Sequence, residues 1–135
     1  MDSCLGGKRM FAACLVDVFD LLNVRDLDLI AQAAARASRL VVGVCSDEYA
    51  ERVLGHRPVV PEQERMALVG HVRGVDEVAI VEGEIEMEAA TGRVFVAEDR
   101  PLLHGPHTST LSPRRHTRSA LLQNALRAEL NEAVA

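Results

Sequence analysis

Three short stretches bring together residues that handle anions, metals or protons. The first, "VDVFDLLNVRDLDLI" (16–30), carries Asp17, Asp20, Asn23, Arg25 and Asp26. In that company Arg25 can supply positive charge to a ligand, or it can pair with Asp26 and Asp28 on an exposed helix start. Asp20 can belong to the same site or cap the helix that follows. The second stretch, "PRRHTRS" (113–119), concentrates Arg114, Arg115, His116 and Arg118 ahead of a helix. Guanidinium forks and free backbone N–H groups favour a phosphate there, and a solvated basic segment is the alternative. The third, "HGPH" (104–107), sets His104 and His107 three apart, a spacing that suits a phosphate or a metal and equally a polar loop turned by Gly105 and Pro106. The acidic run "EGEIEMEAA" reads as the solvated face of a helix, with coordination of a divalent ion as the alternative.

These residues act together only if a fold carries them to one place, and the apolar pattern says how. "MFAACLV" (Met10 to Val16) is a continuous apolar run of strand length, as expected of a strand covered on both faces. Leu22, Leu27, Ile30, Ala34 and Ala37 follow at helical spacing, and "RLVVGVCS" (Arg39 to Ser46) repeats the strand pattern. Strand, helix and strand make a βαβ unit with a parallel sheet. A short helix capped by Ser46 and stopped by Gly55 comes next, then a helix over Pro61 to Gly74 with acids in its first turn. "VDEVAIV" is a third strand, "GEIEMEAATG" holds about two helical turns, and "RVFVAED" is a fourth strand that delivers Glu98 and Asp99. The segment "RPLLHGPHTSTLSPRRHT" reads as a loop. It leads into an amphipathic helix with Leu121, Leu122, Ala125, Leu126 and Leu130 on one stripe.

The predicted fold is therefore a single α/β domain over residues 10–135, a Rossmann-like doubly wound parallel sheet, after a frayed segment at 1–9. Such sheets bind ligands beyond the carboxyl ends of their strands, which here carry Asp17 to Asp20, Ser46 and Asp47, and Glu98 to Arg100. A chain of 135 residues, 48% hydrophobic, suits one core. Its formal charge of −5 gives no general attraction to nucleic acid or an anionic membrane, so any anion site must be local. No apolar run has the length of a membrane span and no signal-peptide cleavage pattern stands at the start, and we read the protein as cytoplasmic. The three cysteines have no CxxC spacing, which argues against a disulfide framework or a zinc site; Cys14 and Cys45 lie in apolar runs, as buried thiols do.

Taken together, "DVFDLL", "VVGVCSDEYAERVLGHRPVVPEQERMALV", "VDEVAIV" and "VFVAEDR" resemble the cytidylyltransferase-like nucleotidyltransferases over residues 10–122. That family ends its first strand in GTFDLLHxGH, which aligns without gaps on Asp17 to Asp26 and matches at Phe19, Asp20, Leu21 and Leu22. The resemblance places the two phosphate-gripping histidines on Asn23 and Asp26, with Arg25 inside the same motif. It places the close-approach glycine on Asp17 and the charge-neutralising lysine on Leu54. It aims Arg65 at the nucleotide, sets Ala97 to Asp99 at a GDD-like strand end, and sets "SPRRHTRSALL" where the triphosphate is held. By resemblance, then, Asn23, Arg25 and Asp26 stand at catalytic positions. Asp17, Phe19, Asp20, Arg65, Asp99, Arg114, Arg118 and Ser119 stand at nucleotide-binding ones.

Losing one preorganised donor typically costs about 10²- to 10³-fold in rate. A carboxylate about 4 Å from a phosphate charge costs roughly 4 kcal/mol at an effective dielectric near 20. The expectation is a divergent member with little ordinary nucleotidyl transfer and a ligand-binding, partner-subunit or refitted catalytic role. The alternative is an active enzyme joining a nucleotidyl group from CTP or another nucleoside triphosphate to a phosphate monoester. In that case Arg25, Arg114, Arg118 or the His104/His107 pair replaces the missing donors while Asp17 and Asp26 hold Mg²⁺. The resemblance also implies a homodimer; a partner enzyme or a small phosphorylated ligand is the further expected partner, and nucleic acid and membrane are not expected.

Overall fold

The computed structural model describes residues 11–83, 93–115, 124–126, 128 and 129. Each expected apolar run forms a strand: β1 (Ala12–Asp17), β2 (Arg39–Cys45), β3 (Glu77–Val81) and β4 (Val94–Ala97). A fifth strand, β5 (Thr108–Leu111), lies in the segment read from sequence as a loop. It pairs in parallel with β4, Val94 opposite Thr108 and Ala97 opposite Leu111. The sheet is parallel throughout, in the order β3-β2-β1-β4-β5. Edge position explains the miss: Ser109 and Thr110 are exposed, so no apolar run marks the strand.

Side chains alternate across the inner strands into two cores, as a sheet covered on both faces requires. Ala13, Leu15, Leu40, Val42, Val44, Phe95 and Ala97 pack on one face with Leu29, Ile30 and Ala33 of α1 (Val24–Arg36) and Val69 of α3 (Glu62–Val69). Cys14, Val16, Cys45, Val94 and Val96 pack on the other with Tyr49 and Ala50 of α2 (Asp47–Leu54) and with Leu103. Cys14 and Cys45 are free thiols inside this second core, and burial pushes Cys14 up to about 11.

Local signals set the helix ends. Asn23 caps α1 and Ser46 caps α2 with side-chain oxygens, and Gly55 ends α2 in the left-handed region at φ 82°. The helix expected over Pro61 to Gly74 stops at Val69. Beyond it the N–H groups of His71 and Val72 bond three residues back, to Leu68 and Val69, so the chain tightens into turns. The helical turns expected over the acidic segment and the fraying expected at 1–9 fall on residues outside those described. Of the final helix, 124–126, 128 and 129 are helical. Among the described residues no helix is long and apolar enough to cross a membrane.

β2 runs close against its neighbours at Gly43. A Cβ on Gly43 would stand 2.7 Å from Val81 Cγ2 and 3.1 Å from Val16 Cγ2. Gly43→Ala is expected to lower stability by about 1–3 kcal/mol through overpacking. A urea midpoint unchanged from that of the parent would show that β3 moves aside freely.

Candidate functional site

Strand order reverses at β1, which has β2 on one side and β4 on the other, so the ligand crevice of such a sheet opens between the carboxyl ends of β1 and β4. The connection from β1 to α1 is tightly held. Phe19 (φ 58°) and Leu21 (φ 51°) are both left-handed, each at a cost of about 1–2 kcal/mol. Between them, buried Asp20 accepts from the N–H groups of Val59 at 2.8 Å and Val60 at 2.9 Å. Asp20 thus ties this loop to the segment before α3, while the cap of α1 is Asn23. Asn23 Oδ1 accepts from the Arg25 N–H at 3.0 Å and the Asp26 N–H at 3.4 Å, which sets both residues in the first helical turn facing the crevice.

The crevice holds a closed ion-pair network. Arg25 lies across the gap: its Nε and Nη2 donate to the two carboxylate oxygens of Asp99 at 2.9 and 2.5 Å. Its Nη1 donates to Asp26 Oδ1 at 2.8 Å, and Nη2 reaches Asp17 Oδ2 at 3.2 Å. From the β4 side, Arg100 Nε donates to Asp17 Oδ1 at 3.1 Å. Asp17 has no exposed surface, Asp26 has 2%, and Arg25 only 8%. The pairing of Arg25 expected at an exposed helix start is therefore corrected: Arg25 is itself buried, it does pair with Asp26, its other partners Asp17 and Asp99 lie outside α1, and Asp28 is not among them. Asp28 instead accepts from the backbone N–H of Arg114 at 2.7 Å and from Gln32.

The charges of this network shift one another. Burial works against the charge on Arg25, but the Asp99 hydrogen bonds and the fields of Asp17, Asp99 and Asp26 outweigh it, so Arg25 holds its proton more firmly than a free arginine. The Arg25 hydrogen bonds hold Asp99 below the usual carboxylate range. Burial, then the charge of Asp17, pushes Asp26 up to about 7 against the opposing pull of Arg25. Between its ordinary value of 3.8 and about 7, folded Asp26 keeps a proton that the unfolded chain has released. This contribution to stability is complete below that window and is lost as pH rises through it, at up to about 1.4 kcal/mol per pH unit. Asp26→Asn keeps an oxygen for Arg25 Nη1 and has no proton to lose. Urea midpoints measured from pH 5 to 8 are expected to fall less steeply in that variant than in the parent.

The remaining expected site residues are dispersed. Phe19 is packed in the core. Arg65 is fully buried and all its observed partners are protein groups: Val60 O at 2.8 Å, Val18 O at 2.7 Å, Cys45 O at 2.8 Å and Asp47 Oδ1 at 2.8 Å. Arg114, its side chain largely exposed, forms a long ion pair with Asp28, Nε to Oδ1 at 3.9 Å. Arg118 and Ser119 lie outside the described residues. In the HGPH turn, Thr108 Oγ1 bonds both the N–H and the carbonyl of Gly105. His104 sits 3.0 Å from the Ala97 carbonyl, and His107 is exposed. Sequence reasoning passed over Arg100 as the partner of Asp17, for which opposite charges at neighbouring strand ends were the signal, and Asp47 at the start of α2 as the partner of Arg65 in α3.

Asp17 and Asp26 do not fit a divalent cation as arranged, because the Arg25 guanidinium is bonded to both. Among the described residues no group of three or more His, Cys, Asp or Glu side chains is placed to hold a metal.

The cytidylyltransferase-like family model matches residues 17–125, from the end of β1 through the described turn of the last helix. The chain belongs to the cytidylyltransferase-like family. This cytidylyltransferase-like chain is 32% identical over 85 residues to FAD synthase of Pyrococcus abyssi, an alignment covering 62% of this chain and 57% of that protein. It is 38% identical over 71 residues to bifunctional protein HldE of Koribacter versatilis, covering 52% of this chain and 15% of that one. The fold, at a TM-score of 0.65 and 21% identity, is also that of the lipopolysaccharide core biosynthesis protein from Thermoplasma volcanium, over 79% of this chain and all of the other. The chain spans about half the length of the FAD synthase and 15% of the HldE protein it matches. Family membership makes the chain a protein of nucleotidyltransferase kind, on a Rossmann-like α/β sheet.

Proposed function

We propose that this cytidylyltransferase-like chain carries out little ordinary nucleotidyl transfer and serves as a ligand-binding or partner subunit. One observation carries the reading: the Arg25 guanidinium spans the crevice between β1 and β4, bonded to Asp17, Asp26 and Asp99. In the transfer reaction that the family resemblance implies, donors at positions 23 and 26 stabilise charge building on the α-phosphorus. Here Asn23 serves the backbone of α1 through its oxygen, and its Nδ2 donates to Leu21 O and Asp26 Oδ2. Asp26 is an acceptor for Arg25. A triphosphate entering the crevice must break the Arg25–Asp99 pair and meet two buried carboxylates, whose compensating charges already belong to the network.

Calorimetric titration with CTP, ATP and GTP in the presence of Mg²⁺, paired with a pyrophosphate-release assay on a panel of phosphate monoesters, tests this. The expected result is turnover at or near background for every pair. Release of pyrophosphate at an ordinary enzymatic rate, abolished by Asp17→Ala, would establish the active nucleotidyltransferase instead.

A further inference from the structure

We infer that the outward edge of Arg25 is a binding site for a small carboxylate or phosphate, filled in this structure by the chain's own Asp99, and that a free anion takes Asp99's place there. The inference rests on the reading of the crevice as closed by internal ion pairs, and it names the ligand class such a crevice accepts.

The two edges of the guanidinium are held differently. Asp26, which is buried, takes Nη1 at 2.8 Å, and fully buried Asp17 takes Nη2 at 3.2 Å. These contacts fix the plane of Arg25 from within. Nε and Nη2 face outward as a fork, and both oxygens of Asp99 meet it in the two-point geometry that any carboxylate or phosphate can reproduce. Asp99 differs from the other two acids because its side chain is 49% exposed. It sits in the turn that follows β4 and can swing into water at little desolvation cost. An incoming anion therefore meets an arginine already oriented and largely desolvated, and displaces a group that water readily takes.

Neighbouring charges permit the exchange. Asp17 is engaged by Arg100 Nε, by the Val18 N–H and by Arg25; Asp26 is engaged by Arg25 and by Asn23 Nδ2. Arg100, with its side chain 27% exposed, is a second guanidinium beside the opening. Removing Asp99 takes one negative charge away from the two arginines, and a bound monoanion restores it. The tethered carboxylate competes at an effective concentration on the order of millimolar or above, which keeps the occupied site weak for outside anions.

The test compares inorganic phosphate and acetate binding to the parent chain, Asp99→Ala and Asp99→Asn, followed by calorimetry and by the Arg25 Nε–H resonance in ¹⁵N-edited NMR. Asp99→Ala is expected to bind one or both anions at least about tenfold more tightly than the parent, with the Arg25 resonance moving on titration. Asp99→Asn, which keeps one acceptor without the charge, is expected to fall between them, and it serves if the alanine variant does not fold. Preference for phosphate over acetate identifies a phosphorylated ligand as the natural occupant, and the reverse identifies a carboxylate. No tightening in either variant, or tightening with the Arg25 resonance unmoved, overturns the inference. Neither readout involves turnover, so this outcome is separate from pyrophosphate release, which would overturn the proposed function.

Discussion

Arg25→Met is expected to lower stability by about 3–5 kcal/mol at pH 7.5, the usual consequence of removing one member of a buried ion-pair network while its partners stay behind. Methionine keeps most of the side chain's length, so the loss reports charge rather than a cavity. Without the guanidinium, Asp26 has no cation of its own, Asp99 loses both hydrogen bonds, and Asp17 keeps only Arg100 and the Val18 N–H. The pH dependence separates this cause from poor packing. Stranded carboxylates have folded pKa values above their unfolded ones, so they favour the folded state at low pH and oppose it as pH rises through the shifted values. The deficit of the variant should therefore shrink between pH 7.5 and 5. A deficit constant across that range, measured by urea unfolding, would assign the loss to shape and remove the electrostatic account.

The same network marks the boundary of what the sequence discloses. The inner strands were legible because both faces of the sheet are covered, and that forces runs such as Ala13 to Val16 to be apolar without interruption. Ser46 and Gly55 likewise announced the ends of α2 by residue type. β5 carried no such mark, since a four-residue edge strand with two exposed hydroxyl side chains looks like loop. At the site, sequence placed Asp17, Arg25, Asp26 and Asp99 near one crevice but gave only neighbours along the chain as pairing partners. The pairing that closes the crevice joins residues 74 positions apart, Arg25 and Asp99. Its geometry depends on the register of β1 against β4, Val16 opposite Val96, and charge pattern alone does not encode that register. The expected net repulsion from Asp17 and Asp26 thus became an internal compensation once Arg100 and Arg25 were placed between and beside them.

Arg65 shows the same reassignment from ligand to scaffold, and replacing it is expected to have a comparable effect. Its guanidinium is the shared donor for three parts of the crevice wall: Val18 O after β1, Cys45 O at the end of β2 and Val60 O before α3, with Asp47 Oδ1 at the start of α2 supplying the counter-charge. Arg65→Met leaves these acceptors without their donor, Val18 O and Cys45 O in buried surroundings, and an orphaned buried polar group costs about 1–3 kcal/mol. Relaxation recovers part of the sum, so a loss of about 3–5 kcal/mol is expected in urea unfolding. Arg65→Lys supplies one charged group that can serve Asp47 or the carbonyls but cannot span both, and should lose roughly half as much. Hydrogen exchange adds a local signature. The Val59 and Val60 N–H groups, held by Asp20, should exchange faster in Arg65→Met, because Val60 O and the loop carrying Asp20 are anchored by the same guanidinium. A loss below about 1 kcal/mol in Arg65→Met would mean that water or neighbouring donors replace Arg65 at little cost. The arginine would then be free of a structural task and available to a ligand, as the family resemblance first implied.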